Sequence, residues 1–398
     1  MNNSEKISCI AVCLFGMESS VSYELKMMGI ELGKVRDGRV GFYATAYEIA
    51  KANIFLRTAE RVLIHVGSFK AQTFEELYQG IKKLPFENYL SVECQFPIAK
   101  AKSLKCKLFS IPDIQSVSKK AVVDRLRQVY PNIKKFEEKG EVYPIHIFLM
   151  KDVVEVTIDT TGPALHKRGY RERSGTAPLR ETIAACMVML TPWKKDRILL
   201  DPMCGSGTIL IEAAMIGANI QPGVNRNFIG EKFHFLPKED WMRARQDAIE
   251  GENMDVEMAL YGSDIDEQVI ELAKENAALA GVEEYITFSV QDMSEVRRPE
   301  EYGFLITNPP YGERIGEKEE LEKTYCDLGK TISTLKNWSA FLITNYENTE
   351  KCIGKKATKK KKTVQWDAKD SILSISRSKT TQKNKVRLCE YQIEKDRI

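Results

Sequence analysis

The chain of 398 residues is long enough for two or three domains of ordinary size. Hydrophobic residues make up 43% of it and charged residues 29%, and the mean hydropathy is −0.32. This composition is typical of a soluble globular protein and excludes collagen-like, coiled-coil and wholly disordered chains.

The sequence shows neither a membrane-spanning run nor a signal peptide. No stretch approaches about 18 consecutive apolar residues, and residues 1–6 lack a basic segment leading into an apolar one. Nine cysteines are scattered without a CxxC pair, and there are four histidines. We therefore predict a cytoplasmic protein with reduced thiols and no bound metal.

The net charge of +3 is unevenly distributed. Residues 97–135 hold ten Lys and Arg against two Asp, and residues 354–398 hold fourteen against five acidic residues. A solvated helix face explains either basic segment by itself. Two basic segments in a chain that is otherwise acidic favour binding to a polyanion. We predict a nucleic-acid partner.

Short apolar runs alternate with helical spacing over the first 160 residues. Residues 1–60 predict a small α+β unit, and residues 61–160 predict a second, basic one. The second unit contains a helix opened by a capping box of Thr73 and Glu76, a basic amphipathic helix over 113–130 and a terminal β-hairpin.

The composition changes after residue 160. Residues 161–178 are rich in Gly, Pro, Arg and Ser, and we interpret them as a basic connector. Over residues 179–362 strands alternate with helices, which predicts an α/β domain with a mostly parallel, doubly wound sheet.

A glycine turn follows the first strand of this third segment. An apolar strand ends in Asp201, and Gly205 and Gly207 lead directly into a helix. Missing side chains let a ligand approach the backbone N–H groups at a helix start. The turn has neither GxGxxG nor GxxxxGK[ST], which argues against a dinucleotide dehydrogenase and a P-loop NTPase.

Acidic residues end the next two strands. Asp264 is placed to accept hydrogen bonds from both hydroxyls of a ribose, whereas Asp266 is better placed as a helix N-cap. Asp292 suits an adenine amino group, although a turn-forming aspartate explains it nearly as well.

The segment from Asn308 to Tyr311, Asn-Pro-Pro-Tyr, carries the chemistry. Two prolines stiffen the loop and supply no N–H, so carbonyl groups and the Asn308 amide remain as acceptors. The Pro309 carbonyl and the Asn308 oxygen can accept both protons of an exocyclic amine while the Tyr311 ring stacks on the base.

These motifs resemble the class I S-adenosylmethionine-dependent methyltransferases that act on amino nitrogens. Residues 165–171, 177–182 and 308–314 further resemble the THUMP-domain RNA methyltransferases, specifically the group that makes N2-methylguanine in 23S ribosomal RNA. The resemblance covers roughly residues 5–362. It implies a ferredoxin-like segment, a THUMP RNA-binding domain and a Rossmann-like methyltransferase domain.

The resemblance implies S-adenosyl-L-methionine as cofactor and RNA, from 23S rRNA or a ribosomal precursor, as partner. The target guanine would contact residues of the catalytic loop: Asn308, Pro309, Pro310 and Tyr311. The cofactor would contact Thr182, Asp201, Gly205, Gly207, Asp264 and Asp292. For Thr182, a role as a helix-start residue is an equally good reading.

Basic side chains of the helix and the connector are expected to contact RNA phosphates, which supply affinity without reading sequence. These residues are Lys119, Lys120, Arg125, Arg127, Lys167, Arg168 and Arg171.

The tail over residues 363–398 departs from the family. After the Lys359–Lys362 run, similar proteins continue with Lys-Leu-Tyr-Asn-Gly and a strand rich in Tyr and Phe, which this chain does not have. A back-translation read one base earlier restores such a sequence, so we hypothesise a one-base frameshift in the lysine tract. The sheet would then lack its last strand and leave an edge unpaired.

Three other functions stay open at this stage. The Asn-Pro-Pro-Tyr loop would also suit adenine-N6 methylation or methylation of a protein glutamine. A non-catalytic RNA-binding or ribosome-assembly factor with a vestigial methyltransferase domain is the reading from a different class.

Overall fold

A computed structural model describes residues 5–133, 135–171, 179–298, 302–310, 318–365 and 385–392. The described residues form two large sheets, each packed against helices.

The first sheet is built from the N-terminal 160 residues. Its strands are β1 (Ile7–Cys13), β2 (Glu31–Arg36), β3 (Arg39–Ala44), β4 (Ala59–Lys70), β5 (Ile98–Leu104), β6 (Ile145–Met150) and β7 (Val153–Asp159). Its helices are α1 (Glu18–Met27), α2 (Ala46–Phe55), α3 (Phe74–Lys82) and α4 (Ile111–Val129). The predicted capping box of α3 is confirmed, since the Thr73 side chain accepts from Glu76 N and the Glu76 side chain accepts from Thr73 N.

The two predicted α+β units share this one sheet. The strand order is β2-β3-β1-β4-β7-β6-β5, and the 12-residue strand β4 pairs antiparallel with β1 on one side and with β7 on the other. The sequence pattern did not predict β2 or β5. Strand β2 is mostly exposed, and β5, which runs parallel to β6, contains lysines that interrupt its apolar pattern. Both are edge strands, so each is only partly buried and carries a weak apolar pattern.

The second sheet belongs to the C-terminal half. Its strands are β8 (Leu199–Asp201), β9 (Leu260–Asp264), β10 (Ile286–Val290), β11 (Phe304–Thr307), β12 (Ser339–Thr344), β13 (Lys359–Gln365) and β14 (Lys385–Gln392). The helices are α5 (Glu181–Met189), α6 (Thr208–Gly217), α7 (Lys238–Glu250), α8 (Glu267–Leu279), α9 (Lys318–Thr334) and α10 (Thr349–Ile353).

The strand order of this sheet is β10-β9-β8-β11-β12-β14-β13, and the first five strands in this order are all parallel. From β8 the chain adds β9 and β10 on one side, and it then returns to add β11 and β12 on the other side. The predicted doubly wound, Rossmann-like sheet is confirmed.

The prediction of an unpaired sheet edge was wrong. Strand β14 pairs antiparallel with β12 from Ser339↔Gln392 to Thr344↔Arg387, and β13 covers the far side of β14. Leu388, Cys389 and Tyr391 are buried on this strand. The tail thus supplies a strand with two apolar positions and a buried tyrosine, which the sequence-based prediction overlooked.

The helices in the described ranges are all too short or too polar to cross a membrane.

Removing residues 359–398 should lower the unfolding temperature and promote self-association, because β12 would become an exposed edge. Thermal unfolding and size-exclusion chromatography of the truncated and full-length chains measure this. Equal stability of the two chains would contradict the contribution of β14 and would favour the frameshift hypothesis.

Candidate active site

The glycine turn lies between β8 and α6, where the chain reverses direction above the sheet. Gly205 and Gly207 both have positive φ, 52° and 80° respectively. A Cβ on Gly205 would have no atom within 4 Å, whereas a Cβ on Gly207 would lie 3.0 Å from the Phe288 ring. Gly205 therefore leaves open space for a ligand, and Gly207 lets α6 pack closely on the sheet.

Asp264 ties this turn to the neighbouring strand. It ends β9, and its Oδ2 atom accepts a hydrogen bond from the Gly205 N–H at 3.0 Å. The Cys204 N–H donates to the Ser263 carbonyl at 2.9 Å. The Asp264 side chain is half-buried and retains acceptor capacity beside the open space at Gly205.

Asp292 follows β10 at the same edge of the sheet. Its Oδ1 accepts from the Ser294 N–H at 2.8 Å, and this interaction lowers the pKa of the carboxyl group. Asp292 is therefore a carboxylate with a second oxygen available. One oxygen of Asp292 thus has the turn-forming role that was the alternative prediction, and the other oxygen remains available to a ligand.

Asp201 lies beneath the glycine turn and is 1% exposed. Its Oδ1 accepts from the Met203 N–H at 3.2 Å. Burial raises its pKa to about 7, while the neighbouring Thr307 hydroxyl and the Met203 N–H act in the opposite direction. The side chain thus supports the turn from below, and its contact with the cofactor stays a prediction.

The proline loop continues directly from β11. Asn308 is half-buried, Pro309 is buried and Pro310 is exposed. The Tyr325 hydroxyl on α9 donates to the Pro310 carbonyl at 3.3 Å and lies 2.6 Å from the Thr344 hydroxyl of β12. Tyr311 lies outside the described residues.

The loop and the glycine turn lie side by side because their strands are parallel neighbours. Leu200 of β8 pairs with Leu305 of β11, so Asp201 and Asn308 emerge at the same edge. The arrangement combines an open backbone cradle with acceptors on a stiff loop, which suits a small-molecule cofactor beside an amine.

Three family models match the chain. The RlmL ferredoxin-like domain matches residues 8–63, and the THUMP domain matches residues 71–159. The family UPF0020, described as the RMKL-like methyltransferase domain, matches residues 168–372, which is more than half of the chain. The chain belongs to the UPF0020 family. The predicted family is confirmed, and with it S-adenosylmethionine as the cofactor of this methyltransferase fold.

Two curated relatives are similar over most of this UPF0020 chain. The "Putative RNA methyltransferase YpsC" of Bacillus subtilis is 42% identical, and the match covers 90% of this chain and 93% of that protein. The "Ribosomal RNA large subunit methyltransferase K/L" of Psychromonas ingrahamii is 36% identical over 86% of this chain. The match spans 47% of that protein, about half of its length.

Two solved structures have the same fold over nearly the whole chain. "SMU.472, a putative methyltransferase complexed with SAH" is 39% identical with a TM-score of 0.89, and covers 99% of this chain and 100% of its own. The "predicted N6-adenine-specific DNA methylase" of Listeria monocytogenes is 41% identical with a TM-score of 0.88, and covers 98% of this chain and 96% of its own.

Thr182 connects the methyltransferase domain to the N-terminal sheet. It is fully buried, and its hydroxyl donates to Glu60 of β4 at 2.6 Å. Its contact with the cofactor carboxylate stays a prediction.

Two connector arginines that were predicted to contact phosphates form ion pairs within the protein. Arg168 is buried against Glu212, with 3.3 Å between Nε and Oε1. Arg171 is half-buried, pairs with Glu181 at 3.4 Å and donates to the Leu179 carbonyl. A phosphate contact by either residue would require it to exchange its carboxylate partner, and these contacts stay predictions.

The remaining predicted phosphate contacts differ in their availability. The Lys119 ammonium pairs with Glu138 at 2.7 Å, and Arg125 pairs with Glu87 through two nitrogens. Lys120, Arg127 and Lys167 are exposed, although Arg127 lies 3.5 Å from Asp124.

Tyr325 is a residue of the candidate active site that the sequence analysis did not identify. It occupies an apolar position of α9, where the sequence gives no signal beyond helix packing.

The raised pKa of Asp201 predicts a specific pH dependence of stability. Because the folded protein holds this proton more tightly than the unfolded chain, the stabilisation is fully present below pH 3.8 and is lost as the pH rises through about 7. Asp201→Asn does not titrate, so its stability relative to wild type should increase by roughly 2 kcal/mol from pH 5 to pH 7.5.

Urea unfolding of both proteins at the two pH values measures this difference. Asp196→Asn, in an exposed loop, is the matched control. A change of the same size in both variants would contradict burial of Asp201 as the cause.

Proposed function

We propose that this protein transfers a methyl group from S-adenosylmethionine to the exocyclic N2 of a guanine in 23S rRNA. The observation that carries the proposal is the Asn-Pro-Pro loop, which lies beside the Gly205 cradle and is held by Tyr325. The proposal keeps the cytoplasmic location predicted from the sequence.

The loop would orient the amine for attack. The Asn308 side-chain oxygen and the Pro309 carbonyl would accept the two amine protons, which directs the nitrogen lone pair at the methyl donor. Tyr311 would stack on the base. A cofactor bound in the cradle would supply a methyl group on a sulfonium sulfur. The nitrogen–carbon bond would form as the sulfur–carbon bond breaks, and the extra proton would leave to solvent.

The cofactor would lie across the carboxyl ends of the strands. Gly205 leaves the space that its methionine part requires, Asp264 would accept from the ribose hydroxyls and Asp292 from the adenine amino group. Asp201 and Gly207 would shape the cradle around the cofactor. This division follows from burial, because only the first three positions face open space or retain an acceptor.

RNA as the substrate is supported by the THUMP match and by the names of the relatives. The exposed residues Lys120, Arg127 and Lys167 would contact its phosphates, and Lys119 and Arg125 could do so only by exchanging their carboxylate partners. The match covers about half the length of the K/L proteins. The large-subunit rRNA in their name is therefore proposed, rather than shown, as the substrate of this chain.

Adenine-N6 methylation is the second candidate. It is favoured by the similarity to the Listeria protein, which is named as a predicted N6-adenine-specific DNA methylase. The same pair of acceptors would hold an adenine amine. The product distinguishes the two, since one reaction gives N2-methylguanosine and the other N6-methyladenosine.

Asn308→Ala should lower methyl transfer at least about a hundredfold, because the amine loses an acceptor that orients it. The assay transfers labelled methyl from S-adenosylmethionine to 23S RNA from cells that lack this gene, and mass spectrometry identifies the labelled nucleoside. Cofactor affinity should not change. N6-methyladenosine as the product, or full activity of the variant, would refute the guanine proposal.

Tyr325→Phe should lower kcat by roughly fivefold, which corresponds to one lost hydrogen bond of about 1 kcal/mol to the loop. The affinity for the cofactor should stay the same, because Tyr325 positions the loop only. Tyr346→Phe is the control, since its ring lies 4.8 Å from that of Tyr325. An equal loss in both variants would indicate a packing effect instead.

A further inference from the structure

A cleft of about 340 Å³ lies on a face of the N-terminal sheet, and none of the residues of the candidate active site line it. All three parts of the chain line it. The ferredoxin-like segment supplies Arg39, the THUMP domain supplies Lys100 and His146, and the chain that follows supplies His166 and Arg180.

Buried carboxylates hold the arginines of this cleft in place. Glu155 is 1% exposed and pairs with Arg39, and Asp159 is 3% exposed and pairs with Arg61. Glu60 likewise pairs with His166 at 2.7 Å and with Arg180 at 3.7 Å. Glu155 and Asp159 lie beneath the cations, whereas Asp37 is an exposed acidic residue of the lining. The guanidinium groups therefore share the accessible layer with one carboxylate, and they can donate further hydrogen bonds outward.

Lys100 is an exposed residue of the cleft, and the carboxylates of Asp159 and Glu60 act on its charge from beyond ion-pair distance. Within the described residues, no carboxylate lies in ion-pair distance of its ammonium group. Its neighbour across the β5–β6 pair is His146, which is buried. Burial lowers the pKa of His146 to about 3, and Arg61, Lys100 and Arg39 act in the same direction, so the imidazole is neutral and the local field is positive.

The walls of the cleft are apolar between these cations. Val12, Leu63 and Phe148 line it, and the Arg39 guanidinium lies 4.1 Å from the centre of the Phe148 ring. The volume is at the lower end of the range for small-ligand sites and is far too small for a duplex. A planar base with one phosphate fits these dimensions and this chemistry, because aromatic and guanidinium faces stack on bases.

We propose that this cleft binds one unpaired nucleotide of the substrate RNA, with its phosphate at Lys100 and its base against the apolar wall. The inference rests on the proposed RNA substrate and adds a second contact, away from the methylated base. Because three parts of the chain build the cleft, a nucleotide bound there would fix the RNA relative to the methyltransferase domain.

Binding of a single-stranded 12-nucleotide oligouridine and of a 12-base-pair RNA duplex to the full chain tests the proposal. Lys100→Glu should weaken oligouridine binding roughly tenfold, and Lys100→Ala should lower the slope of log affinity against log salt by about 0.7, the value for one phosphate contact. Lys139→Glu is the matched control, because this lysine of the same domain is 80% exposed and lies outside the cleft. It should change affinity less than about twofold.

Duplex binding should depend little on Lys100. Equal effects of Lys100→Glu and Lys139→Glu, equal dependence for the duplex, or failure of the wild type to bind oligouridine would each overturn the proposal. Methyl transfer to 23S RNA by the wild type separates this failure from that of the proposed function. If the wild type methylates RNA and Lys100→Glu binds oligouridine normally, only the nucleotide site in the cleft is refuted. If oligouridine binding depends on Lys100 but no RNA is methylated, only the proposed function is refuted.

Discussion

Parallel pairing of β8 with β9 and β11 is the constraint on which the active site depends. Parallel neighbours end at the same edge, so the glycine turn, Asp264 and the Asn308 loop converge although Asn308 lies 107 positions after Asp201 in the chain. The Gly205–Asp264 hydrogen bond then fixes the turn to the next strand. Each of these groups follows a strand in an ordinary way, and the candidate active site exists only because the three lie close together.

Glu60 joins the N-terminal sheet to the methyltransferase domain. It accepts from Thr182 and pairs with His166 and Arg180. Burial would raise its pKa, but His166 and the Thr182 hydroxyl outweigh burial and hold the pKa below its usual value. A buried carboxylate that depends on three partners from other segments is costly to break. The orientation of the two halves is thereby coupled to the start of α5.

Basic residues divide into two groups with different consequences. Arg168 and Arg171 pair with Glu212 and Glu181 inside the protein and stabilise the connector. Lys100 faces an open cleft, and it lies on a strand that the sequence did not reveal. Charge composition predicts a polyanion partner, but it cannot distinguish exposed cations from those held in ion pairs inside the protein.

The sequence by itself determined most of the helices and the central strands, the glycine turn, the Asn-Pro-Pro loop and the family, because these depend on local periodicity and on contiguous motifs. It did not indicate α7 or α10. Tertiary structure decided which charges are paired, where Thr182 and Asp201 lie, that Tyr325 holds Pro310, and that β14 completes the sheet. Such contacts join residues far apart in the chain. An arginine looks the same in a sequence whether its partner is a buried glutamate or a phosphate, and only burial distinguishes the two.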